Sequence, residues 1–279
     1  MRPGAMLVKW RLMLTTLPYV AVAVGAKLGL HYAGFEGLVD FSDVGLVLGG
    51  GVFLIGFMLA GTMADFKESE RLPGEAACSL ETLEETFAQA ALGRPTIDGP
   101  RLRRTVLEVT EAVLRWMRGR AGTPSVLTDI ERLRDCAQEL ERGGAGPYAG
   151  RSLNELHALR RTLTRVHVIS RTGFLPSGYA LLEALTAAIF ILLGVSKFKN
   201  SISEAALVAF VVLIYVYMLR LIRDIDDPFE HSDDGSTGAA EVDLFPLVEL
   251  RDRLAARVAA EAAAQPSVVG SAPASTTMR

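Results

Sequence analysis

Three groups of residues in this 279-residue chain have types and spacings that bear on chemistry. The first is Gly49, Phe53 and Phe57, spaced four apart and running into Asp65, Lys67, Glu68 and Glu70. Residues four apart share one face of a helix, and Gly61, Ala64 and Glu68 stay near that face. The line reads small, aromatic, aromatic, small, small, acidic. Repeated around an axis, it would make a hydrophobic collar that gates by dewetting and opens onto a charged vestibule. Packed within one chain, Gly49, Gly50, Gly51, Gly56 and Gly61 would instead allow close helix contact, with the phenylalanines against lipid. The second group is Asp224, Asp226, Asp227, Asp233 and Asp234, a cluster able to hold Mg²⁺ or Ca²⁺ and equally able to be a solvated acidic loop. The third is Glu183, an acid within an apolar run. Such a group either faces water or a partner, or sits at the edge of the membrane.

Other constellations are missing from the sequence. The histidines are His31, His157, His167 and His231; no two have HxxxH spacing, and no His/Cys group has zinc spacing. Gly49-Gly50-Gly51 is not followed by the lysine of a phosphate cradle, and there is no GxSxG elbow. Cys78 and Cys136 lie in a charged region without a CxxC pattern, so a disulfide framework is not expected and both read as small buried residues. A net charge of −3 implies no nucleic-acid partner.

The elements that must position these residues follow from hydropathy. Half of the residues are hydrophobic and 22% are charged, segregated along the chain. That segregation predicts an all-α protein with one membrane part and one water-exposed helical part. Val44 to Ala64 carries no charge and is long enough to cross about 30 Å of hydrocarbon. Three more spans are expected, giving 12–30, 44–64, 178–196 and 205–222; Lys27, in the first, is expected to snorkel. Arg2, Lys9 and Arg11 precede the first span, the loop from Gly34 to Asp43 has acids but no bases, and Arg220 and Arg223 close the fourth. The positive-inside rule places both termini and the long block in the cytoplasm, against the weak contrary signal of Lys197 and Lys199. A basic start followed by an apolar run and "AVGA" at 23–26 also fits a cleavable signal peptide, which would leave three spans.

Residues 65–172 read as a cytoplasmic block of amphipathic helices. Val106, Val109, Val113 and Met117 share a face, as do Val126, Ile130, Leu133, Ala137 and Leu140, and Leu156, Leu159, Leu163 and Val166. Breaks are expected at Gly93 to Pro100, Gly119 to Pro124 and Gly143 to Gly150. Thr128 to Glu131 and Ser152 to Glu155 have capping-box spacing. A cytoplasmic segment follows over 223–262. The remainder, 263–279, is Ala, Ser, Pro and Thr and reads as a disordered tail.

"FLIGFMLAGTMADFKESERLP" at 53–73 resembles the second transmembrane helix of the bestrophin channels, in which a neck with aromatic residues leads to an Arg-Trp-Trp-type segment and an "ENLP"-like turn. Phe53 and Phe57 fall on two neck positions, and Gly49 on a third that usually carries a larger apolar residue. "YVYMLRLIRDIDDPFEHSDD" at 215–234 resembles the end of the fourth span and its Asn-Pro-Phe-Gly segment with trailing acids, centred here on Asp227-Pro228-Phe229. "FLPSGY" at 174–179 places Leu175 where the family carries the lower cytoplasmic aperture. The likeness covers residues 5–260 in order, and implies a single channel domain over 1–262.

The resemblance implies an oligomeric ion channel and not an enzyme, a homopentamer in a plasma or inner membrane, with partners limited to lipid, small inorganic ions and its own copies. Family members include chloride channels and cation-conducting prokaryotic channels. The chain departs from the animal pattern in two places. Asp65-Phe66-Lys67 replaces the Arg-Trp-Trp segment, and Asp65 and Glu68 make the inner mouth acidic, which favours cations. Ser232 and Gly235 stand where the calcium clasp needs carboxylates, leaving Asp227, Asp233 and Asp234 as a degraded clasp. No cofactor is expected, and calcium gating is not implied. Two alternatives come from other classes: a non-conducting scaffold or sensor that uses its cytoplasmic helices, and a metal-dependent enzyme that uses the aspartates near 224–234.

Overall fold

The computed structural model describes residues 3–35, 37–172, 176–198, 201–226, 228–229 and 241–264. Nearly all of them are helical. The chain divides into two compact units, one of residues 1–72 and 164–243 and the other of 73–163 and 244–279.

The first unit holds α1 (Pro3–Tyr32), α2 (Phe41–Ser69), α7 (Pro176–Val195) and α8 (Ser201–Asp226), together with the last residues of α6 (Gly146–Arg171). Four helices are long and apolar enough to cross a membrane, and they overlap the four expected spans, with α7 ending one residue short of the third. In hydrocarbon every backbone group must be satisfied within the chain, and helices achieve this within one segment. α2 packs on α7 and α8, and α1 packs on α8 and α7. Ile55, Met58, Leu182, Ile189, Leu193, Tyr215 and Ile222 form the core between them. The polar residues on the buried face of α2 satisfy themselves: Thr62 Oγ1 donates to the Met58 carbonyl at 3.2 Å and Ser69 Oγ to that of Asp65 at 2.9 Å.

One end of this unit is closed by two short strands, β1 (Val39–Asp40) and β2 (Ser196–Lys197), paired in parallel. Gly37 precedes β1 with φ +88°, and a Cβ there would lie 2.8 Å from the Lys197 nitrogen, so only glycine fits. Lys27 does not snorkel as its sequence position suggests. It is buried, donating to the carbonyls of Ser196 at 2.6 Å and Gly194 at 3.0 Å, with Glu204 of α8 at 3.2 Å. A buried charge this well surrounded ties three elements together, and its loss would leave the buried Glu204 with only His31 Nδ1, at 3.6 Å, beside it.

The second unit contains α3 (Leu72–Ala91), α4 (Gly99–Met117), α5 (Thr123–Arg142), most of α6, and α9 (Phe245–Ala264). α4 packs on both α5 and α9. Every residue on the three apolar faces named from sequence is buried. The helix breaks, at 92–98, 118–122 and 143–145, overlap the expected segments, the first two starting one residue earlier. The capping boxes do not form: Thr128 and Ser152 stand one turn inside α5 and α6 and donate back to the carbonyls of Pro124 and Tyr148. α4 is capped by Asp98, whose side chain accepts from the Arg101 amide at 3.0 Å, and α5 starts after Gly122, with Pro124 in its first turn. Proline and glycine had already set those starts, which left the downstream Ser and Thr in helix interiors. Cys136 is buried and its thiol is pushed up by desolvation, whereas Cys78 is exposed, contrary to the expectation that both are core residues.

Glu84 of α3 is 2% exposed and accepts from Arg103 Nε of α4 at 2.5 Å and Arg257 Nη1 of α9 at 2.7 Å. It is a charged clamp in a core whose other buried polar side chains, such as Thr86, Thr110 and Ser152, are hydroxyls. Replacing it with alanine leaves Arg103 partly buried beside Glu261 alone. In denaturant unfolding of the full chain, E84A is expected to cost about 3 kcal/mol, the low end for breaking a buried pair. E81A, whose partner Arg253 lies at the surface, is expected to cost under ~1 kcal/mol.

Candidate functional site

Among the described residues, nothing packs on the face of α2 that carries Gly49, Phe53 and Phe57. Phe53 is 77% and Phe57 67% exposed. The residues buried along the same helix are Val44, Gly51, Ile55, Met58, Thr62 and Ser69, half a turn away. The phenylalanines therefore project directly away from α7 and α8. The two sequence readings of the glycines separate here. A Cβ at Gly51 would meet Tyr215 Oη at 2.3 Å and Ile189 Cδ1 at 2.9 Å, so Gly51 is a packing glycine. A Cβ at Gly45, Gly49, Gly50 or Gly56 would meet nothing within 4 Å. Gly49 does not serve close packing within the chain.

The acidic end of the line is held by a residue that sequence reasoning missed. Arg165, near the end of α6 and 97 residues from Glu68, donates through Nε and Nη2 to both Glu68 oxygens, each at 2.6 Å. Asp65 Oδ1 lies 4.0 Å from the same guanidinium. This is a planar two-point fork, the strongest common geometry for a carboxylate–arginine pair. Glu68 lies beyond the apolar stretch 44–64, and its carboxyl is held below the usual range by the Arg165 hydrogen bonds, against a smaller opposing effect of burial. A depressed carboxyl keeps the pair fully formed at neutral pH and loses it only as pH falls through that lowered value. Beside the fork is a polar cavity of about 130 Å³, lined by Thr62, Asp65, Phe66, Arg165, Asp226 and Pro228 among others. Nothing in the sequence marks Arg165, because the pairing joins two helices far apart in the chain.

Glu183 on α7 is half exposed and paired with Arg223 of α8. That pairing answers the cost of an acid in an apolar run. A larger cavity of about 590 Å³ lies between α1, α7 and α8 and is almost wholly apolar, bordered by Tyr19, Val22, Leu30, Phe190 and Val212. Its one lining cation, Lys27, is already engaged. Leu175 and the aspartates Asp227, Asp233 and Asp234 lie outside the described residues. Among the described residues, no group of three His, Cys, Asp or Glu side chains is placed to hold a metal.

No family model matches the sequence, and no curated protein matches it. Solved structures do. A mutant of a bacterial bestrophin homolog from Klebsiella pneumoniae superposes with a TM-score of 0.71 at 13% identity, over 89% of this chain and 99% of that one. A second mutant of the homolog gives 0.69 at 13% identity, over 89% and 98%. A third structure of it gives 0.65 at 15% identity, over 90% and 98%. The fold is the all-helical membrane fold of the bacterial bestrophin homologs, carried by a divergent sequence.

The glycine geometry generates a direct comparison. Gly51→Ala forces Tyr215 off its contact and is expected to destabilise the protein by about 1–3 kcal/mol, the usual range for overpacking. Gly49→Ala, in open space on a helix, is expected to be neutral or to stabilise by up to ~1 kcal/mol. Thermal unfolding of the two variants in detergent reads the difference.

Proposed function

We propose that this chain is an ion channel for small monovalent ions, formed by several copies with α2 facing a central axis. The observation that carries the reading is the exposed Gly49–Phe53–Phe57 face, set opposite the packing face of a helix in a bestrophin-like fold. Around an axis, the two phenylalanines form a narrow apolar neck that excludes water when closed. Gly49, without a side chain, leaves a wide point above it. Asp65 and Glu68 stand at the mouth below. By analogy with bestrophins the assembly is a homopentamer, Leu175 forms a lower aperture, and residues 1–262 act as one channel domain. The distribution of arginine and lysine supports both termini on the cytoplasmic side of a plasma or inner membrane. Asp227, Asp233 and Asp234 are a degraded remnant of a calcium clasp, and the reading does not assume calcium gating. No part of this reading calls for enzymatic turnover.

The neck assignment has a simple test. In planar bilayers, the variant Phe53→Ala/Phe57→Ala is expected to show a higher open probability than the wild type, because small side chains no longer dewet the constriction. Unchanged currents in the double variant would mean that the phenylalanines face lipid.

A further inference from the structure

The C-terminal turn of α2 bears Asp65, Glu68 and Glu70 against Lys67 and Arg71, an excess of acid in its own sequence. Lys67 and Glu70 close on each other at 2.7 Å, both at the surface. Asp65 and Glu68 remain, and Arg165 engages both. With Arg165 included, three bases face the three acids of residues 65–71, and Asp226, which lines the adjoining cavity, is a further acid beside them. The fork is not a desolvated structural bolt: Glu68 and Arg165 are each 42% exposed and Asp65 67%. Charges this exposed contribute little to stability, yet they act on any ion that passes within a screening length of about 8–10 Å. The consequence is electrostatic more than mechanical.

We propose that Arg165 is a selectivity-determining residue: it neutralises the acids at the inner mouth, so that the sign of the ion favoured there turns on its guanidinium and not on a bare ring of carboxylates. The proposal rests on the channel reading above. Every copy in a ring repeats the pair, so one substitution changes the mouth by one charge per subunit. A lysine at 165 keeps the charge without the planar two-point fit. Charge and geometry can therefore be separated.

The test is the reversal potential of the purified full chain in a planar bilayer under an asymmetric KCl gradient at low ionic strength. R165Q is expected to raise K⁺ over Cl⁻ permeability several-fold. E68Q, which leaves Arg165 with Asp65 alone, is expected to shift the ratio the other way. The double variant E68Q/R165Q restores the wild-type balance, and R165K stays close to it. A residue that merely holds α2 to α6 would change current size or assembly without opposite shifts for the two members of the pair. Conducting R165Q and E68Q channels with wild-type reversal potentials, or shifts of the same sign, would overturn the proposal. If R165Q fails to assemble, E68Q still decides: a shift toward Cl⁻ supports the assignment and no shift refutes it. A wild-type protein that is inserted and silent would instead refute the channel reading, and this assignment with it.

Discussion

The Tyr215 hydroxyl reaches the backbone carbonyl of Leu48, at 2.7 Å, only because residue 51 has no side chain. That contact fixes which way α2 faces. Tyr215 is buried across the helix with Ile189 beside it, and Ile55, Met58 and Thr62 follow on the same stripe. Once that stripe is committed to α7 and α8, the opposite stripe is committed to the outside. Gly49, Phe53 and Phe57 are not exposed because a core is missing there. They are exposed because the other face of the helix is full. A helix with one complete packing face and one bare aromatic face is the geometry from which the functional reading follows.

Charge in this protein is handled by pairing across elements that are distant in sequence. Lys27 meets Glu204, Glu183 meets Arg223, Glu84 meets Arg103 and Arg257, and Glu68 meets Arg165. The first and third centre on buried acids, Glu204 and Glu84, so removing a partner there leaves a buried carboxylate with fewer compensating charges. The second and fourth are exposed, and their value lies in where they put charge and not in how much stability they add. The fork at the end of α2 belongs to this second kind.

The apolar helices, the approximate helix breaks and the three apolar faces of α4, α5 and α6 were legible because each is a local pattern of hydropathy, proline and glycine. The direction of the Phe53–Phe57 face was half legible. Spacing placed the residues on one side of a helix, but only the position of Tyr215 decides which side is packed, and that residue lies far along the chain. The same reason hid Arg165 and mistook Lys27 for a snorkelling residue: a salt bridge between segments 97 or 177 residues apart leaves no periodic trace. The supposed capping boxes failed differently. Thr128 and Ser152 have the right neighbours, but Pro124 and the glycines upstream had already begun their helices. The likeness of the 53–73 segment to bestrophins agrees with the fold of the bacterial homologs, even though identity to them is near one residue in seven or eight.

The central claim is that the bare face of α2 lines a path through an assembly of copies. Electron microscopy of the purified full chain in lipid nanodiscs tests it directly. The account predicts a ring of subunits in which Gly49, Phe53 and Phe57 of every copy point at one continuous axial path. A monomer, or an assembly in which those side chains face the surrounding lipid, would contradict it.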